Sequence, residues 1–84
     1  MELKYVNHDK VGFVLWPRTD KLFHSHVGGM LLIRANGRIL SAGFATISQG
    51  MVRCHGKSES LGIPSLPSDT EDLAKQLGLK PFKG

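Results

Sequence analysis

Three groups of residues have the types and spacing to do chemistry: His24-x-His26, the adjacent pair Cys54-His55, and the alternation Arg53-x-His55-x-Lys57. On a strand the imidazoles of His24 and His26 share a face and could hold one metal ion. On a helix they point about 200° apart and cannot. Either way a third ligand is needed. Cys54 and His55 are neighbours and point to opposite sides of their strand, so at most one could join. No metal site is assigned. Cys54 falls on the apolar side of its strand, which suits a core thiol better than a nucleophile. Ser58 and Ser60 lack the strained G-x-S-x-G setting of a hydrolase nucleophile. Gly56-Lys57-Ser58 echoes the end of a phosphate-binding loop, but the upstream glycine spacing is wrong and the triplet sits inside a strand. The chain is therefore expected not to be an enzyme and to carry no cofactor.

The elements that must position these residues begin with Gly37 to Ser60. Two strand-like runs, 38–47 and 51–60, flank Ser48-Gln49-Gly50, where Gly50 suits the left-handed last position of a three-residue hairpin loop. That loop sets Thr46 opposite Val52, Phe44 opposite Cys54, Ala42 opposite Gly56 and Leu40 opposite Ser58. Leu40, Ala42, Phe44, Val52 and Cys54 are then expected to face the interior. Arg53, His55 and Lys57 face water, with Arg38 near the far end of the facing strand. Arg38, Arg53, His55 and Lys57 form the candidate binding surface. A basic stripe can track phosphates, but in this register no aromatic is interleaved with it, so the stacking platform of single-strand binders is missing. The stripe is read first as a solvated face; a protein partner is preferred over nucleic acid on the small size of the chain and its lack of a catalytic constellation.

Elsewhere, Leu3 and Tyr5 share one face of a first strand and Lys4 and Val6 the other. Val11 to Trp16 is an apolar run rich in β-formers, consistent with a central strand and ended by Pro17. Residues 23–34 are ambiguous. As a helix, Phe23, Val27, Met30 and Leu31 form one stripe, with Ser25 or Asp20 as N-cap. As a strand, Asn36-Gly37 becomes a hairpin turn. Gly28-Gly29 weakens both, and the helix is preferred because a sheet face needs cover. Residues 61–67 are a loop. Ser68 opens the clearest helix, with capping-box spacing to Glu71 and Gly78 at its C-cap. The order is ββαββα: an α+β fold whose antiparallel sheet of two hairpins carries two helices on one face. Residues 1–79 form one domain and 80–84 a flexible tail.

At 84 residues with a formal charge of +4 and one cysteine, the chain makes a single small domain with no internal disulfide. Such a domain buries roughly 60–65% of its unfolded surface. The lone cysteine suits a reducing, cytoplasmic setting. The longest apolar run, Met30 to Ile33, is too short to span a membrane, and no secretory leader is expected. Oligomeric state is open; an uncovered first strand could pair across a two-fold axis.

Ser41-Ala42-Gly43-Phe44, the run Val52 to Gly62 with its Cys54-x-Gly56-x-Ser58-x-Ser60-Leu61-Gly62 spacing, and Pro67 to Leu73 resemble small uncharacterised proteins of bacterial and prophage genomes. The resemblance covers residues 38–77. It implies a helix before the Ser41 strand, favouring the helical form of residues 25–33. It implies no activity, substrate or functional residue. The expectation is a non-enzymatic interaction module for an unknown macromolecule, possible phage descent included, with nucleic-acid binding through the basic sheet face as the alternative.

Overall fold

The computed structural model describes residues 1–18, 21, 23–34 and 36–82, with Ile33 and Arg34 as backbone only. Strands β1 (Glu2–His8) and β2 (Gly12–Pro17) form the first hairpin. Helix α1 (His24–Arg34) follows, then the long strand β3 (Ile39–Ser48) and β4 (Met51–His55). A two-residue ribbon, β5 (Lys57–Ser58) with β6 (Ile63–Pro64), leads to helix α2 (Asp69–Leu77) and the short β7 (Lys80–Pro81). The main sheet has the order β2-β1-β3-β4-β7 and is antiparallel except for the β4–β7 pair. The α+β class is as expected; the two-hairpin ββαββα arrangement is not, because the sheet is mixed and has five strands.

The helices do not share a face. Tyr5 and Val6 are consecutive in β1 and must point to opposite sides, yet both are fully buried. On one side Tyr5, Phe13, Ala45 and Val52 pack with Leu73 and Ala74 of α2. On the other Val6, Trp16 and Ala42 pack with Val27 and Leu31 of α1, joined by Leu61 and Ile63. The sheet is thus the middle layer of three. β1 lies between β2 and β3 rather than at an edge, and β2, expected to be central, is an edge strand, with β7 at the other edge. The weak alternation of β1 is the mark of a strand buried on both faces.

The β3–β4 hairpin turns through two residues, not three. Gln49 and Gly50 have φ of 53° and 75°, the pair of positive values that a two-residue type I′ turn requires. Ser48 then faces Met51, Ile47 faces Val52, Ala45 faces Cys54 and Phe44 faces His55. This is one residue off the expected register, so Phe44 and Cys54 lie on opposite faces. Val52 and Cys54 enter the α2 side, Ala42 and Phe44 the α1 side, and Leu40 is exposed. Gly56, at φ 75°, ends the ladder, so Lys57 and Ser58 leave the main sheet and pair with residues 63–64.

Residues 24–34 are helical, but the inward stripe is His24, Val27 and Leu31, while Phe23 and Met30 are exposed. Ser25 is not the N-cap. The Phe23 N–H donates to His26 Nδ1 and the Ser25 N–H to Ser60 Oγ, so two orphan amides of the first turn find side chains. Asp20 lies outside the described residues. At α2 the Ser68 hydroxyl makes no capping bond. Asp69 instead ties the preceding loop to the helix start, accepting from the Leu66 N–H at 2.9 Å. The C-terminus closes as expected: Gly78 is left-handed, and the Leu79 and Gly78 amides donate to the Ala74 and Lys75 carbonyls. Beyond it, within the stretch read as tail, Lys80 and Pro81 pair alongside Met51 and Val52.

Candidate functional site

α1 covers the sheet over β2, β1 and the first half of β3, and leaves the second half of that face open. Along β1 and β3 the open side carries Glu2, Lys4, Phe44 and Thr46, since Glu2 pairs with Thr46 and Lys4 with Phe44. β4 adds Arg53 and His55, which pair with Thr46 and Phe44. Phe44 is therefore central on the face that carries the cations, which the expected register had denied.

Its surroundings are specific. The Arg18 guanidinium lies over the Phe44 ring at 4.1 Å from its centroid and also pairs with Glu2. The His24 ring meets Phe44 edge-on at 5.5 Å. His24 is buried, and its Nε2–H donates to the Gly43 carbonyl at 2.8 Å. Burial lowers its pKa despite that bond, and the nearby Lys4 charge adds to the lowering, so this imidazole is held neutral. Lys4 Nζ sits 5.7 Å from the Phe23 ring centroid. Lys4, Arg18, Phe23, Phe44, Lys57 and Glu59 are among the side chains around a groove of about 490 Å³. Gly43 is required here, because a Cβ would stand 2.6 Å from the His55 carbonyl oxygen.

A smaller cleft of about 240 Å³ opens on the same face at the hairpin turn, between Met51, Arg53 and Phe82. Thr46, which lines it, shares a hydrogen bond with His55 at 3.0 Å.

The four expected surface residues are split. Arg53 and His55 stand on the open face and Lys57 lines the groove. Arg38 does not join them. Its backbone is tied in both directions to Asp9 beside the β1–β2 turn, about 26 Å along β3 from the rung that holds Arg53. Lys4, Arg18 and Phe44 were missed, and Phe82 was expected on a flexible tail. Gln49-Gly50 taken as a two-residue turn could have found Phe44, because it moves that residue across the sheet.

His24 is buried and His26 lies outside, stacked on Phe23 at 5.5 Å, so the two imidazoles do not converge. Among the described residues no three His, Cys, Asp or Glu side chains are grouped to hold a metal. Cys54 faces α2, where burial pushes its thiol up to about 11; little thiolate forms near neutrality. No helix among the described residues is long and apolar enough to cross a membrane. No family model, curated protein or solved structure matches the chain.

Proposed function

We propose that the protein is a non-enzymatic binding protein that holds nucleic acid against the open half of its sheet. The observation that carries this is Phe44 set among Lys4, Arg18, Arg53 and Lys57 on one face. Cations follow the phosphates, and an aromatic ring or a guanidinium plane offers a surface for bases. The chain's formal +4 charge favours the same class of partner. The half-buried, protonated thiol of Cys54 suits a reducing compartment, in keeping with a cytoplasmic setting.

The test is fluorescence anisotropy with labelled oligonucleotides across a salt series. Affinity should fall as salt rises, with a slope of about −0.7 per phosphate neutralised on a single strand. Arg53→Glu with Lys57→Glu should weaken binding and flatten that slope. No binding at low salt, or binding indifferent to both charge reversals, overturns the proposal.

One observation favours a protein partner instead. Phe23 and Met30, 57% and 51% exposed, make an apolar stripe with His26 on the outer side of α1. If Met30→Lys abolishes capture of a purified partner while oligonucleotides never bind, that second function replaces the first.

A further inference from the structure

We infer that the cleft at the hairpin turn is a slot for one unpaired base, so that the open face selects single strands; this rests on the nucleic-acid function proposed above. At about 240 Å³ the cleft lies below the roughly 300–1,000 Å³ of sites for drug-sized ligands, and it suits a fragment. Its walls are the chemistry of a base. Phe82 supplies an aromatic face and Met51 an apolar, polarisable one. Thr46, Ser48 and Gln49 bring hydroxyl and amide groups that match the donors and acceptors of a base edge. Arg53 stands in the lining, placed to meet the phosphate that arrives with the base.

The slot is built rather than accidental. Phe82 is held in line by the β4–β7 pairing, its N–H donating to the Val52 carbonyl at 2.9 Å and the Lys80 N–H to the Gly50 carbonyl at 3.1 Å. The residue is 43% exposed, so it is presented rather than packed away. The slot and the groove adjoin on β3, where Thr46 lines one and Phe44 the other on the same face. A strand crossing the sheet therefore keeps its phosphates among Lys4, Arg18 and Lys57 while turning one base down beside Phe82. A base locked in a duplex cannot make that turn.

The discriminating probes are a short mixed-sequence single strand, the same strand carrying abasic sites, and a hairpin duplex, all measured by anisotropy at one low salt concentration. The intact strand should bind about tenfold tighter than the abasic one, the size of one aromatic stack. Phe82→Ala should shrink that difference and leave abasic binding and the salt slope unchanged, and Phe82→Tyr should restore it; a difference that Phe82→Ala leaves intact overturns the slot. Equal binding of intact and abasic strands, or of strand and duplex, overturns the slot and leaves the phosphate-tracking function standing. So does a Phe82→Ala variant that weakens intact and abasic strands alike. If none of the probes binds, both fall together.

Discussion

The side-chain amide of Gln76 grips the backbone of Phe13 at both of its polar groups. The Phe13 N–H donates to Gln76 Oε1 at 3.0 Å, and Gln76 Nε2 donates to the Phe13 carbonyl at 2.9 Å. Phe13 lies in β2, the edge strand, so a helix residue occupies a rung where another strand would pair. Pro17, two rungs on, has no N–H to offer. Edge pairing is a hazard that folds must block. Gln76→Ala should cost about 1–2 kcal/mol in denaturant unfolding. It should also introduce concentration-dependent self-association in sedimentation velocity; a variant that stays monomeric at high concentration would show that the clasp does not guard the edge.

A second cross-link joins the same two regions deeper in. The Tyr5 hydroxyl donates to Asp69 Oδ2 at 2.6 Å inside the α2 side of the core, while Asp69 Oδ1 has no partner. Tyr5→Phe removes the only side-chain donor on a buried carboxylate among the described residues. A loss of about 1.5–3 kcal/mol is expected in urea unfolding. Asp69→Asn in the Tyr5→Phe background should cost less than in the wild type, the sign of direct coupling.

The same cluster sets an alkaline limit. Burial, with Asp69 adding to it, raises both the Cys54 thiol, to about 11 from an ordinary 9.0, and the Tyr5 phenol. Both groups are neutral in folded and unfolded chains below pH 9, so stability is unaffected there. Above it the unfolded chain ionises first and binds fewer protons than the folded one, so stability falls as pH rises from 9 toward 11. The thermal midpoint should decline over that window, and less steeply in Cys54→Ala. An identical decline in the variant would assign the effect to Tyr5 alone.

His24 gives the opposite slope on the acid side. Its pKa is lowered mainly by burial, so below about pH 6.5 the unfolded chain takes up a proton that the folded chain resists. Stability should fall with pH through that range. His24→Gln should show a smaller fall between neutral pH and pH 5 in parallel melts.

Gln49 is the one described non-glycine residue with positive φ, at 53°. Asparagine tolerates that conformation better, and Asn-Gly is the favoured type I′ pair. Gln49→Asn should stabilise the protein by about 0.5–1 kcal/mol, read as a higher urea midpoint with an unchanged slope.

That residue also explains how far the sequence could be followed. The β3–β4 hairpin, the helix after Ser68 and its Gly78 stop were legible, because the Gly50 turn, the apolar period of α2 and the left-handed Gly78 pointed the same way, although Ser68 makes no capping bond. The register was not. Gly50 alone suggested a three-residue loop, whereas glutamine in a left-handed position carries no composition signal, and one residue of slip exchanged the two faces of β3. Arg53 stayed exposed all the same, because α1 covers the other half of that face. The position of the helices was hidden for a related reason: β1, apolar on both sides through Tyr5 and Val6, needs a cover for each. The Gly28-Gly29 pair, which weakened both the helical and the strand form, lies inside α1, and a Cβ at Gly28 would make only ordinary contacts with Leu61 and Ile39.

The Tyr5–Asp69 bond spans 64 positions of the chain, and this separation bears on how the molecule is made. A nascent chain that has presented only its first two strands to the ribosome exit has no α2 to cover Tyr5 and Phe13, and no Gln76 to occupy the edge. Contacts of long sequence separation form late and slowly. The stable state is reached only after α2 has emerged, and until then the β1–β2 hairpin keeps Tyr5 and Phe13 uncovered and its outer edge open.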